Sequence, residues 1–258
     1  MKHIYKFSIV LLTVFTFIGC NVDDDDSVTV LPMKELTASL SQQVDVIRIA
    51  DDATSYDLVI NFSEALPSYS TIEYSLDGGA TTTSSASSGD NTLVIPIAFD
   101  EDKFYRDVVL SDFIVVNAAA RRFSTSITGN SSLRIARQGT IFAAPGSVEI
   151  TVTWSDSSKD LDIFLVEGNQ DLGGALLDDS QGTTTTEQVV LSADEEGVFS
   201  LFMYEWNFDY PVDYEINYVF EDGQVLSFDS NITSDSFQFT MSKSNDGAQM
   251  ICYINKIE

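Results

Sequence analysis

Three aspartates near the middle of the chain have the residue type and spacing of a cation site. Asp160 and Asp162 are two positions apart in an alternating apolar segment, so on a strand both side chains point to one face, with Cα atoms about 6.6 Å apart. Asp156 precedes them in a turn, and Asp178 and Asp179 follow in the next loop. Carboxylates this close repel each other unless a cation or water screens them, and calcium takes roughly six to eight oxygen ligands. The spacing predicts Ca²⁺ at Asp156, Asp160 and Asp162; the alternative is a solvated face in a chain that is acidic throughout.

An aromatic run is the second candidate site. Rings alternate with polar residues at four positions: Tyr204, Trp206, Phe208 and Tyr210. The preceding residues Phe199, Leu201 and Met203 have the opposite parity, which predicts that they face the core and that the rings from Trp206 onward lie on the outer face or in a loop. Exposed rings could stack on sugars while neighbouring polar groups bond the hydroxyls. The alternative is that the rings cover one end of a sandwich or a seam between modules.

Residues needed for common kinds of catalysis are missing. The only histidine is His3, so a chain cut before Cys20 has none, which excludes Ser-His-Asp triads, Cys-His pairs and imidazole-based zinc or iron sites. No serine lies in a Gly-x-Ser-x-Gly or Ser-x-x-Lys frame. A pair of carboxylates, as in glycosidases, needs no histidine, but no local motif places one acid in an apolar pocket. We therefore expect a protein that is not an enzyme.

The N-terminus has the pattern of a signal peptide over residues 1–19. Lys2 and Lys6 precede an apolar run, residues 7–18, that is too short to span a bilayer as a helix. The run ends in Phe17-Ile18-Gly19-Cys20, which resembles the lipobox of bacterial lipoproteins with Phe17 where Leu is usual. The resemblance implies cleavage before Cys20 and acylation of that residue with fatty acids such as palmitate, which would anchor the chain to a membrane. The alternative is an ordinary signal peptide with a chance cysteine.

An acidic segment follows the cysteine. The four aspartates at positions 23–26 resemble the surface-export signal of lipoproteins from the Bacteroidetes group, which implies a surface-exposed, lipid-anchored location at the outer membrane. The alternative is a solvated tether, residues 20–27, that the anionic membrane surface repels. The whole chain carries 40 Asp and Glu against 13 Lys and Arg, a net charge of −27 at pH 7. Such a field disfavours nucleic acid as a partner.

The rest of the chain is predicted to be all-β, as two tandem β-sandwich modules at residues 28–138 and 146–258. Short alternating apolar segments are separated by Gly, Ser, Asn and Asp clusters. Strands are predicted at 55–62, 71–76, 92–99, 108–117, 122–128, 147–154, 161–166, 188–191, 198–204, 213–220, 224–228, 236–241 and 250–254. Residues 33–43 are predicted to be weakly helical, 81–88 a mobile loop, and 139–145 a connector.

Both modules resemble known β-domains. Residues 56–63, 72–74 and 93–97 loosely resemble Calx-beta and related immunoglobulin-like modules. Residues 152–156, 160–165, 197–201 and 211–216 resemble the "tryptophan, then D-L-D-L" pattern of bacterial pre-peptidase C-terminal domains, which implies a jelly-roll-like sandwich. Those domains are non-catalytic appendages of secreted and surface proteins, and some hold calcium. We therefore expect an adhesion or binding lipoprotein for a polysaccharide or a surface protein; the alternative is a structural subunit of a larger surface or secretion assembly.

Overall fold

The computed structural model describes residues 32–100, 103–120 and 122–257. The predicted signal peptide, Cys20 and the acidic tether lie outside the described residues. The described part contains nineteen β-strands and no helix, so the all-β prediction is confirmed. Within the same part of the chain, no segment forms a helix long and apolar enough to cross a membrane.

The strands form two sandwiches in tandem. The first module contains β1 (Lys34–Leu40), β2 (Val46–Ile49), β3 (Ser55–Phe62), β4 (Ser70–Leu76), β5 (Thr82–Ala86), β6 (Thr92–Ala98), β7 (Tyr105–Val115), β8 (Phe123–Ile127) and β9 (Ser132–Arg137). The second module contains β10 (Thr140–Ala143), β11 (Val148–Trp154), β12 (Leu161–Glu167), β13 (Leu176–Ser180), β14 (Thr186–Leu191), β15 (Gly197–Glu205), β16 (Val212–Phe220), β17 (Val225–Ile232), β18 (Ser236–Asn245) and β19 (Met250–Lys256).

In the first module, a four-stranded sheet of order β6-β3-β1-β8 packs on a five-stranded sheet of order β2-β9-β7-β4-β5. Strand β3 illustrates why: every second side chain, Leu58, Ile60 and Phe62, is buried, whereas Val59 and Asn61 between them are less buried. Each buried side chain contributes about 1.5–3 kcal/mol. Phe62 stacks on Phe113 of β7 at 5.3 Å between ring centroids, which joins the two sheets across the core.

In the second module, a six-stranded sheet of order β10-β19-β18-β15-β12-β13 faces a four-stranded sheet of order β14-β11-β16-β17. On β15, Phe199, Leu201 and Met203 are buried in the core, as their parity predicts. The intervening positions of β15 therefore point away from the core, onto the outer face of the six-stranded sheet. That face carries the candidate site.

Three local predictions are wrong. Residues 33–43 contain β1 rather than a helix, because Leu36, Ala38 and Leu40 alternate into the core and β1 pairs with both β3 and β8. Residues 81–88 contain β5, which pairs with β4 and buries Ala86. The expected connector contains β10, which pairs with the last strand, β19, and so extends the six-stranded sheet. In each case a partner strand supplies hydrogen bonds that the apolar pattern of the segment itself does not reveal; the partner is distant in sequence for β1 and β10 and is the adjacent hairpin strand for β5.

The two modules meet at a seam of aromatic and arginine side chains. The ring of Phe104 stacks on Tyr253 at 4.2 Å between centroids. The guanidinium of Arg134 lies over the ring of Phe142 at 4.4 Å from its centroid. Arg48 donates from Nη1 to the carbonyl of Thr140. These contacts fix the position of the second module relative to the first.

Candidate binding site on the outer sheet face

Five aromatic side chains lie together on the outer face of the six-stranded sheet. They come from three neighbouring strands and the loop after β15: Phe164, Phe202, Tyr204, Trp206 and Phe237. We call this group the platform. Register explains the grouping, because Phe164 pairs across strands with Phe202, and Phe202 pairs with Phe237. Side chains directly opposite each other on one face are close enough to touch.

The platform rings form a chain of contacts. The ring centroids of Phe164 and Tyr204 are 5.7 Å apart with nearly parallel planes, and those of Phe202 and Phe237 are 5.3 Å apart. Phe164 and Phe202 lie at 6.5 Å, and Tyr204 and Trp206 at 6.2 Å. The rings are half-buried except Trp206, which is 59% exposed. The result is a contiguous aromatic surface that remains open to solvent.

A buried carboxylate lies beside the platform. Asp162 is only 3% exposed and pairs across strands with Tyr204, whose hydroxyl donates to its carboxylate. Burial raises the pKa of Asp162, the hydrogen bond from Tyr204 opposes this, and the nearby charge of Asp160 adds to the rise. Burial and the bond to Asp162 raise the pKa of Tyr204 to about 12. The phenol is therefore a fixed, neutral hydrogen-bonding group at neutral pH.

The loop that carries Trp206 is held by a second buried acid. Glu205 accepts hydrogen bonds from the backbone N–H of Asp160 at 3.3 Å and of Asp209 at 2.6 Å. The backbone N–H of Trp206 donates to the carbonyl of Asp160 at 2.9 Å. These bonds attach the loop to the turn before β12. This hydrogen-bond network holds the backbone of Trp206 in place.

The four predicted rings lie in three different environments. Tyr204 and Trp206 belong to the platform. Phe208 lies outside it, 70% exposed in the loop with a positive φ of 57°. Tyr210 packs against the core of the second module, accepts a hydrogen bond from the N–H of Glu205, and donates to Asp235. Tyr210 therefore supports the loop instead of offering a free ring.

Sequence reasoning missed three of the platform rings: Phe164, Phe202 and Phe237. The parity of β15 could have identified Phe202, because Phe199, Leu201 and Met203 already mark the other face as buried. No sequence signal could have added Phe164 and Phe237, since their positions depend on which strands neighbour β15.

The predicted calcium ligands do not converge. Asp156 accepts hydrogen bonds from the backbone N–H of Ser158 at 3.0 Å and from its hydroxyl at 2.6 Å, which lower the pKa of Asp156. Asp162 bonds Tyr204, and the buried Oδ1 of Asp160 has no hydrogen-bond partner among the described residues. Across the described ranges, no three His, Cys, Asp or Glu side chains are grouped to hold a metal ion. These carboxylates do not fit a calcium site of roughly six to eight oxygens, and calcium stays a prediction.

A depression of about 450 Å³ adjoins the platform. Phe202 and Phe237 contribute the platform side, Asp235 lies at the turn between β17 and β18, and Gln170 and Leu172 come from the loop between β12 and β13. The depression combines aromatic surface with carboxylate and amide groups. Such a mixture suits a ligand that has both apolar faces and hydroxyls.

Comparisons with known proteins give no family for the chain. No family model matches, and no curated protein matches. Among solved structures, the Calx CBD1 domain in its apo form is 10% identical, and the match covers 40% of this chain and 97% of that one at a TM-score of 0.30. CBD12 from CALX1.2 is 11% identical over 72% of this chain and 83% of that one, again at 0.30. The calcium binding domain CBD12 of CALX1.1 is 11% identical over 64% and 78%, also at 0.30. We infer the function from the geometry of the platform.

Proposed function

We propose that this protein is a non-catalytic, surface-exposed lipoprotein of the outer membrane, anchored through Cys20, that binds an uncharged polysaccharide on the platform. The observation that carries the proposal is the contiguous group of five rings on one sheet face. Aromatic faces stack on the C–H surfaces of sugar rings, and nearby carboxylates and amides accept or donate hydrogen bonds to hydroxyls.

The charge of the chain supports an uncharged ligand. With a net charge of −27, the protein repels phosphorylated, sulfated or uronate-rich glycans. Asp162 and Asp235 lie at the platform itself and strengthen that repulsion locally. A neutral glycan meets no such barrier, and its hydroxyls can donate to the exposed carboxylate of Asp235.

A binding role is also favoured over catalysis. Asp162 is the acid at the platform whose pKa is raised, which is a property of many catalytic acids. However, it is almost fully buried and already bonded to Tyr204. A general acid must come within about 3 Å of the proton that it transfers, and a ligand on the rings cannot approach this carboxylate so closely.

Affinity electrophoresis of the full chain tests the proposal. The gels contain laminarin, hydroxyethyl cellulose, soluble starch or glucomannan, with polygalacturonate as the acidic probe. We expect at least one neutral polysaccharide to retard the protein and polygalacturonate to leave it unretarded. The variant Trp206→Ala should bind about tenfold more weakly, a loss of about 1.4 kcal/mol. Phe208→Ala is the matched control, because it removes an exposed ring of the same loop outside the platform.

Two results would refute the proposal. If none of the four neutral polysaccharides retards the protein, glycan binding is refuted. If Trp206→Ala and Phe208→Ala lose the same affinity for the polysaccharide, the platform is not the binding site. A surface protein as the ligand, or a structural role in an assembly, would then be the better explanation.

Calcium is tested separately by thermal unfolding of the full chain in EDTA and in millimolar Ca²⁺. A ligand that binds only the native state raises its stability, by about 2.7 kcal/mol at a hundredfold excess over Kd. A rise in Tm that disappears in Asp160→Asn/Asp162→Asn would support a calcium site there. A rise that NaCl of equal ionic strength reproduces would end that prediction.

A further inference from the structure

A cleft of about 890 Å³ lies where the two modules meet. The first module contributes Asp51, Asp52 and Arg137, and the second contributes Asn255 and Lys256 from the end of β19. This volume is within the range of small-molecule sites, roughly 300–1,000 Å³, and such sites are frequent at domain interfaces. The cleft is thus large enough to hold sugar units.

The cleft is contiguous with the platform. Gln170 and Ile257 line both the cleft and the depression over Phe202 and Phe237. Both shared residues are held in place: the N–H of Gln170 donates to the hydroxyl of Ser200 at 2.8 Å, and the N–H of Ile257 donates to a β18 carbonyl at 2.9 Å. The two hollows therefore adjoin each other at these two residues.

The side chains of the cleft suit an uncharged, hydroxyl-rich ligand. Asp51 and Asp52 balance Arg137 and Lys256, so the cleft is locally neutral in a strongly acidic chain. Asp52, Asn255 and Lys256 are exposed, and their side chains make no hydrogen bond within the described part of the chain. Asp52 offers a hydrogen-bond acceptor, Asn255 an amide that donates and accepts, and Lys256 a donor. A sugar hydroxyl both donates and accepts, and so it can pair with each of them.

The walls of the cleft are fixed before any ligand binds. Asp51 accepts a hydrogen bond from the N–H of Gly139 at 3.0 Å, and Arg137 donates from Nε to the carbonyl of Lys103 at 3.1 Å. The stack of Phe104 on Tyr253 joins the modules beside the cleft. Preorganised walls reduce the entropic cost of binding.

We propose that the platform and the cleft are two parts of one groove that binds the interior of a linear, uncharged glycan, with both modules contacting the chain. This inference rests on the proposed function and adds the form of the ligand: a chain segment, not a terminal sugar. Occupying both parts at once makes the second contact intramolecular, so the affinity should increase with the length of the oligosaccharide.

Calorimetric titration of the full chain tests the inference, with laminari-, cello-, malto- and manno-oligosaccharides as probes. We expect a hexasaccharide of at least one series to bind about tenfold more tightly than its disaccharide. The variant Asp52→Asn/Lys256→Gln should weaken the hexasaccharide about fivefold and leave the disaccharide unchanged. Trp206→Ala should weaken both. The matched control, Asp57→Asn/Lys34→Gln, makes the same two changes of charge outside the cleft and should bind as wild type.

The outcomes separate the inference from the proposed function. A hexasaccharide that binds no better than its disaccharide, or that binds the cleft variant as well as wild type, overturns the inference; sensitivity to Trp206→Ala would then still support the proposed function. If none of the four series binds, the proposed function and the inference are both overturned.

Discussion

We expect the substitution Asp162→Asn to increase the free energy of unfolding at pH 7, because it removes a buried charge and keeps the hydrogen bond beneath the platform. Burial disfavours the charged form of Asp162, and the nearby charge of Asp160, which lies just before β12, adds to this. For two charges about 6.6 Å apart, which is the Cα spacing of positions two residues apart in extended chain, the repulsion at an effective dielectric constant of about 20 is about 2.5 kcal/mol. The amide oxygen of asparagine can still accept from Tyr204, although a neutral acceptor loses about 1 kcal/mol relative to a charged one. The net gain should be about 1–2 kcal/mol.

The same substitution should change the pH dependence of stability. The pKa of Asp162 is raised in the folded protein above the ordinary value of 3.8. Between those two pKa values, the native state keeps a proton that the unfolded chain has lost, so the wild-type stability contributed by this group falls as pH rises. The asparagine variant lacks this loss. The stability difference between variant and wild type should therefore be larger at neutral pH than in acid.

Urea unfolding followed by tryptophan fluorescence measures both effects, at about pH 3 and at about pH 7. Precipitation is expected to be greatest near the sequence pI of about 4.1, and a measurement at about pH 3 lies below that value. The matched control is Asp57→Asn, an exposed aspartate, which should change the stability by less than about 0.5 kcal/mol at either pH. The reasoning is refuted if Asp162→Asn is less stable than wild type at pH 7, or if its effect is the same at both pH values.

Three further substitutions or measurements test the packing. Trp154→Phe removes the indole N–H that donates to the carbonyl of Lys159 at 3.1 Å, and should lower the free energy of unfolding by about 2 kcal/mol in urea titrations; a change below about 0.5 kcal/mol would contradict this. Arg134→Lys keeps the charge but loses the two hydrogen bonds to Asp107 of β7 at 2.6 and 2.8 Å. The free energy of unfolding in urea should therefore fall by about 1–2 kcal/mol, and an unchanged midpoint would contradict the contribution assigned to these two bonds. Cys252 is buried and burial raises its pKa to about 12, so iodoacetamide should label it only in urea, as read by mass spectrometry of its peptide; rapid labelling in buffer would disprove its burial.

The pattern of apolar residues predicted much of the fold. Strand β3 occupies 55–62 as predicted, β11 begins one residue later than predicted, and β15 is longer than predicted by one residue at each end. In these strands every second side chain along the core-facing parity is buried, and this period of two is a local property of the sequence. Strands β9, β10 and β13 were not predicted because they are short and only their pairing with neighbours stabilises them. Residues 33–43 fit a helical spacing as well, and the pairing of β1 with β3 and β8 decides for a strand.

The candidate site, too, was predictable from the sequence only in part. From the sequence it follows that the chain is acidic and all-β, that a chain cut before Cys20 contains no histidine, and that the rings from Trp206 onward lie on the outer face or in a loop. These follow from composition and from the period of two along a single strand. The tertiary structure alone decided that Phe164 and Phe237 complete the platform, that Tyr210 packs inward, and that a cleft joins the two modules. Cross-strand register and module contacts connect residues far apart in the sequence, and no local pattern contains that information.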